Sequence, residues 1–297
     1  MRYFEYDEAM TGSEMLARQL ERDPAYKVLR RLPEPREVWL STPSGRGETT
    51  VAVVDCETTG LDPDQDRLIE VAVCLMTIDV SGALTRITRP SSMLECPGVA
   101  LDESISRITG LRDSDLDGRR FNEEGLRQLI SEASGVVAYN ASFDRAFMTR
   151  RFPWLETFGW ACAAREIDWK EMGYEGRALG HLLASAGHHH DGHRAGSDAW
   201  ALSCLLAMQA PDERVIAAHL LDRAQAPSVM VTALNVPFEL RMSLKLRGYR
   251  WQAGAKAWER ECDTREFEAE RDWLIALDPF IKVERRLLDW TSRYVER

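Results

Sequence analysis

The chain lacks the marks of a secreted, membrane-spanning or zinc-ribbon protein. Its six cysteines (Cys56, Cys74, Cys96, Cys162, Cys204 and Cys262) are scattered through 297 residues without a C-x-x-C pair. That scatter argues against a zinc ribbon or a disulfide scaffold and fits a reducing cytoplasm. No run approaches the ~18 apolar residues of a membrane helix. Residues 1–7 (MRYFEYD) lack the basic start and apolar stretch of a signal peptide. The expectation is a cytoplasmic protein without a membrane partner. Internal repeats and low-complexity segments are missing too. Excess positive charge is lacking: 48 Asp/Glu outnumber 38 Lys/Arg for a formal net charge of −10, which taken alone argues against a nucleic-acid partner.

What is present can build a core. Hydrophobic residues make up 44% and aromatics 8%, which excludes a wholly disordered chain. The length exceeds one average domain, so a main domain with a smaller one is expected. Charge is uneven. Residues 231–297 hold 13 Lys/Arg against 12 Asp/Glu, so the remainder carries a net −11. Four of the nine tryptophans (Trp251, Trp258, Trp273, Trp290) lie in that last stretch. The small-residue and proline stretch at 224–228 marks the joint. Three segments follow: an N-terminal helical extension over 1–47, a main domain over 48–223, and a small basic, tryptophan-rich α+β domain over 229–297.

Periodicity and turn chemistry predict a helix over about 13–22, capped by Ser13 with Met15, Leu16 and Leu20 apolar, and a second short helix opening at Asp23-Pro24. Strands are predicted over 50–57 (TVAVVDCE), 68–78 and about 83–94, as a meander. A helix over 123–132, a short strand over 135–139, and helices over 142–151, 179–186 and 196–208 complete a mixed α/β pattern with helices packed on a central sheet.

Three segments carry chemistry. The first strand ends in Asp55-Cys56-Glu57. Side chains alternate along a strand, so both acids share one face and Cys56 takes the other. Two carboxylates there repel each other and cost desolvation, which a hard cation such as Mg²⁺ or Mn²⁺ would relieve; the alternative is a strand end emerging into solvent. The second segment runs from an apolar strand through Asn140-Ala141-Ser142-Phe143-Asp144, placing Asp144 in a helix's first turn, where the dipole favours an anion. In the third, His193 and Asp198 are five residues apart, ~500° around a helix. They would not share a helix face, so His193 belongs to the preceding loop and Asp198 to the first turn. A histidine beside carboxylate-bound metal suits a general base acting on water. Alone, the second segment reads first as an ordinary charge at a helix start, and the third as a loop histidine and a helix-start acid that never meet.

Together, Asp-x-Glu-Thr-Thr-Gly (55–60), Asn-Ala-x-Phe-Asp (140–144) and His-x-Ala-x-x-Asp (193–198), in order and in context, resemble the DEDDh family of 3′→5′ exonucleases over about residues 48–210. That family includes ribonuclease T and the proofreading subunit of the bacterial replicative polymerase. The resemblance implies a ribonuclease H-like fold and two divalent ions, Mg²⁺ or Mn²⁺. Asp55, Glu57, Asp144 and Asp198 match the metal-site carboxylates, and His193 the general base. Thr58, Thr59, Gly60 and Leu61, with Asn140 and Phe143, match substrate contacts. Tyr139 and Arg107 stand where the family often has histidine. The implied activity is release of nucleoside 5′-monophosphates from the 3′ end of DNA, single-stranded or frayed, with a polymerase or repair complex as partner. The alternatives are an RNA-trimming exonuclease and a non-catalytic accessory subunit.

Other signals are weaker. His188-His189-His190 with His193 and Asp191 is read as a solvated loop beside the active site rather than a zinc site. Asp62-x-Asp64-x-Asp66 begins like a calcium loop, but Arg67 and Val73 occupy the positions that require glycine and glutamate. A helix and then a hairpin turning at 252–256 are predicted in the basic stretch, with Arg247, Arg250 and Lys256 as candidate nucleic-acid contacts and most tryptophans as core. Residues 1–47 show no recognisable chemistry.

Overall fold

The computed structural model describes residues 11–39 and 47–295; the acidic-aromatic start at 1–7 lies outside them. The first helix, α1 (Gly12–Leu20), is capped by Thr11, not Ser13: the Thr11 hydroxyl accepts from the Glu14 amide at 3.2 Å. Met15, Leu16 and Leu20 are exposed, not core. The segment predicted as a second helix is a turn in which the Asp23 carboxylate accepts from the Ala25 amide at 3.0 Å. Two short strands follow, β1 (Arg30–Arg31) and β2 (Val38–Trp39).

The centre of the molecule is the antiparallel pair β3 (Thr49–Thr58) and β4 (Leu68–Ile78). All of β4 is buried, as a near-continuous apolar run covered on both faces must be. The single strand predicted over 83–94 is two, β5 (Leu84–Ile87) and β6 (Ser91–Leu94), each pairing with β4. Pro90 between them has no amide hydrogen for the ladder. Helices α2 (Glu103–Thr109), α3 (Asp113–Leu116) and α4 (Glu123–Ser131) precede β7 (Gly135–Ala138) and α5 (Ala141–Arg151). Then come β8 (Gly159–Cys162), α6 (Ala163–Glu166), α7 (Leu179–Ser185), β9 (His188–His189), α8 (Ala195–Leu206) and α9 (Ile216–Gln225). The sheet order is β2-β5-β4-β3-β7-β8, with β6 beside β4. β7 runs parallel to β3 and to β8, so the sheet is mixed. This is the expected α/β architecture of a mixed central sheet flanked by helices.

Alternation along β3 decides what reaches the site. Ala52, Val54 and Cys56 join the core with Val136, Ala138, Phe147 and Met148 of β7 and α5. The other face carries Val51, Val53, Asp55 and Glu57, and α8 packs against β3 and β4. Among the described residues, no helix is long and apolar enough to cross a membrane.

The chain forms two compact units that part at Ala224. The second, Ala224–Arg293, holds β10 (Ser228–Leu234), α10 (Arg241–Leu246), β11 (Arg250–Gln252), β12 (Ala257–Asp263), α11 (Phe267–Leu277) and β13 (Lys282–Leu288). Its sheet, β11-β12-β10-β13, is antiparallel throughout. Its core includes Val229, Val231, Tyr249, Trp258 and Leu274, with Trp273 packed against it. From Tyr294 the chain belongs again to the first unit, where the Tyr294 hydroxyl donates to Glu166 at 2.6 Å. The domain expected over 229–297 therefore ends a few residues early.

Candidate active site

Three carboxylates converge where β3 ends and α8 begins. Oxygens of Asp55, Glu57 and Asp198 lie within 4.8 Å of one another. Asp198 is in the first turn of α8 and His193 in the loop before it, as predicted. Asp144, in the first turn of α5, is buried, and the Cys56 thiol donates to its Oδ1 at 3.3 Å. Cys56 does turn away from Asp55 and Glu57, but onto the fourth acid. Burial and the Asp144 charge push the Cys56 thiol well up, so it stays a protonated donor.

The acids share an electrostatic load. Burial first, then the charges of Asp144, Asp198, Glu57 and Glu70, push the Asp55 carboxyl well above its ordinary range. Burial and Asp198 push Glu57 up to about 8. Burial pushes Asp144 up to about 7. Crowded oxygens this reluctant to ionise are a donor set that fits a hard divalent cation. The load has a consequence for stability. A carboxyl with a folded-state pKa raised from 4.5 to about 8 keeps its proton in the folded protein at pH values where the unfolded chain has released it. Its stabilisation is full below about pH 4.5 and lost as pH rises through about 8. In EDTA, the melting temperature should fall by roughly 5 °C between about pH 5.5 and 8, and Mg²⁺ or Mn²⁺ should remove the fall. Scanning fluorimetry reads this directly; a melting temperature that rises with pH in EDTA contradicts it.

Residues outside the predicted set complete the surroundings. Glu70 of β4 lies opposite Glu57 in the ladder and is buried. Arg194 donates to both its oxygens, at 2.9 and 3.1 Å, and the Ala195 amide donates at 3.3 Å. The signal for Glu70 was a lone charge within the apolar run Leu68-Ile69-Glu70-Val71. His193 is exposed, with φ +67, a conformation costly for a residue with a Cβ. It is held by its own amide, which donates to Asp198 Oδ2 at 2.7 Å. His190 Nε2 lies 2.6 Å from Asp198 Oδ1, and His188 is buried in β9. The histidine run is thus partly structural, not a solvated loop.

The turn after β3 is built by Asp66. Its carboxylate accepts from the Thr59 hydroxyl at 3.2 Å and from the Asp62 amide at 2.9 Å. A Cβ on Gly60 would collide with that carboxylate, which explains the glycine and gives these aspartates a role in the turn. Thr58 is buried, its hydroxyl donating to the Gly60 carbonyl at 2.5 Å, and Leu61 is 84% exposed. Asn140 is exposed and Phe143 packs on Phe147, ring centroids 4.9 Å apart. In the second unit, the hairpin turns at 253–256 as predicted, with Arg250 and Lys256 exposed. Arg247 is not a free cation. It donates to buried Glu270 at 3.0 Å, beside Arg260 at 2.5 Å, and lies over the Trp273 ring at 4.6 Å.

Comparison with known proteins identifies the family. The RNase T exonuclease model matches residues 52–205, just over half the chain, a span within which the five predicted catalytic positions fall. The chain belongs to the RNase T exonuclease family. It is similar to the PolC-type DNA polymerase III of Thermotoga maritima, 31% identical over 146 residues, covering 48% of this chain and 10% of the polymerase. It is similar to ribonuclease T of Marinobacter nauticus, 30% identical over 109 residues, covering 32% of this chain and 49% of that one. It is also similar to the DNA polymerase III epsilon subunit of Treponema pallidum, 26% identical over 188 residues, covering 59% and 83%. The chain thus spans about a tenth of the polymerase and about half of ribonuclease T.

Proposed function

We propose that this exonuclease removes nucleotides from the 3′ end of DNA, single-stranded or frayed, by metal-dependent hydrolysis. The observation that carries this reading is the convergence of Asp55, Glu57 and Asp198 oxygens within 4.8 Å. Those three, with Asp144, would hold a pair of divalent ions, Mg²⁺ or Mn²⁺. Such ions, when bound, lower the pKa of water and offset charge on a transferring phosphoryl group. His193, exposed at the site's edge, takes a proton from the attacking water. The water oxygen bonds to phosphorus, the bond to the 3′-oxygen breaks, and that oxygen leaves as an alkoxide that takes a proton from solvent, releasing a nucleoside 5′-monophosphate. Thr58, Thr59 and Gly60 line the terminal nucleotide and exposed Leu61 packs on its base, with Asn140 and Phe143 beside them. A polymerase or repair complex is the partner this reading favours. The similarity to ribonuclease T supports a second reading, RNA as substrate.

The test offers single-stranded DNA, duplex DNA, mismatched duplex and RNA to the wild type and to Asp198→Ala, in Mg²⁺, Mn²⁺ or EDTA. Shortening of DNA by the wild type alone, only with metal, supports the proposal; preference for RNA transfers it to the second reading. No metal-dependent shortening of any substrate sinks both.

Arg250 and Lys256 are proposed to hold the phosphate backbone. Replacing both by alanine should weaken single-stranded DNA binding and reduce the slope of log K against log salt by about 1.4, since each phosphate contact contributes ~0.7. An unchanged slope in a salt titration makes them bystanders. Arg247→Ala should instead destabilise the second unit, because it strips a partner from buried Glu270.

A further inference from the structure

The N-terminal segment has no motif, yet it is bound to the loop that carries the active-site histidines. β1 runs parallel to β9, with Arg30 opposite His188 and Arg31 opposite His189. The Arg30 amide donates to the Gly187 carbonyl at 2.9 Å and the Leu32 amide to the His189 carbonyl at 2.9 Å. Arg30 is fixed in turn by Glu14 at 3.0 Å and Glu21 at 2.5 Å, and Leu32 is buried. Arg31 pairs with Asp191. The Trp200 indole, one helical turn from the start of α8 and two residues beyond Asp198, donates to the Pro33 carbonyl at 2.8 Å. Residues 30–33 therefore hold the segment before His193 on one side and α8 on the other.

What they deliver is His190. Its Nε2 lies 2.6 Å from Asp198 Oδ1, with both side chains mostly buried, while the His193 amide occupies Oδ2. A carboxylate oxygen accepts, and the tautomer of His190 that carries its proton on Nε2 supplies the donor. One contact at each oxygen fixes the rotation of the carboxylate about its Cβ–Cγ bond. A freely turning Asp198 would have to be oriented each time a cation bound.

We propose that His190 is a positioning residue for Asp198, and that residues 30–33 are part of the active site because they hold His190 in place. This rests on the reading of Asp198 as a metal ligand. Residues 30–33 are then a component of the site, not an appendage.

The test uses the full chain and the variants His190→Ala, His190→Gln and Trp200→Phe, with folding checked by circular dichroism and melting temperature. Mn²⁺ binding to the substrate-free protein is measured from the electron paramagnetic resonance of free Mn²⁺. Nuclease kinetics are measured on a single-stranded oligonucleotide. His190→Ala should weaken Mn²⁺ binding and lower kcat by about 10–100-fold, with KM for the oligonucleotide nearly unchanged. His190→Gln should recover most of both, since its amide nitrogen can replace Nε2 as donor. Trp200→Phe, which loses the bond to Pro33 together with part of a buried ring, should shift both in the same direction by less. A folded His190→Ala with wild-type Mn²⁺ affinity and kcat overturns the proposal, as does a folded His190→Gln no better than alanine. A wild type that neither binds Mn²⁺ nor cleaves any substrate overturns instead the reading on which it rests.

Discussion

Asp55→Asn should abolish catalysis and make the metal-free protein more stable. Burial and four neighbouring carboxylates hold the Asp55 carboxyl well above its usual range, so near neutral pH the folded state pays for any charge placed there. Asparagine keeps the shape and removes the charge. In EDTA at about pH 8 its melting temperature should exceed that of the wild type by roughly 3–6 °C. The same change deletes a metal ligand. With several kcal/mol of charge stabilisation lost, kcat should drop by about 10³-fold or more. Opposite signs in one substitution are the signature of a site whose strain serves function. An Asp55→Asn protein that is inactive but less stable would point to an ordinary structural acid.

Arg194→Ala should have the largest effect on stability. Glu70 is 2% exposed at its side chain, and Arg194 is the cation that meets both its oxygens. Arg194 is half exposed but Glu70 is buried, so removing the arginine strands a buried charge that keeps only the Ala195 amide among these donors, a loss of about 2–3 kcal/mol, or roughly 5–10 °C in melting temperature. Adding Glu70→Gln should restore most of the stability, because the stranded charge is gone. It should not restore activity: Arg194 also ties the loop bearing His193, and the first turn of α8 bearing Asp198, to β4. Thermal melts and kinetics on both variants separate the two roles. A melting temperature for Arg194→Ala within a degree of the wild type contradicts this account.

The sequence made the site legible where local spacing carries information. The alternation of Asp55, Cys56 and Glu57 assigned their faces, and the five-residue interval put His193 in a loop and Asp198 in a helix. β4 was found at its observed bounds because a run of eleven buried residues has no competing reading. What the sequence did not reveal depends on long-range pairing. Glu70 meets Arg194, residues 30–32 meet 187–189, and Pro33 meets Trp200, across separations that leave no local pattern. β8, β10 and β13 were missed: β8 is only four residues, and the other two alternate faces in a small unit where basic and apolar residues mix. Arg247 looked like a surface cation until its buried partner, Glu270, was in place. The acidic whole-chain charge was the least informative number. It counts as deficits the carboxylates of a site that would be neutralised by divalent cations.

The most direct measurement is a time course on single-stranded DNA labelled at its 5′ end, with the released products separated by chromatography. The account predicts a ladder that shortens one nucleotide at a time from the unlabelled 3′ end, release of nucleoside 5′-monophosphates, dependence on Mg²⁺ or Mn²⁺, and silence in EDTA and in Asp55→Asn. A labelled strand that stays full length in every divalent ion, or that Asp55→Asn shortens as fast as the wild type, would contradict it.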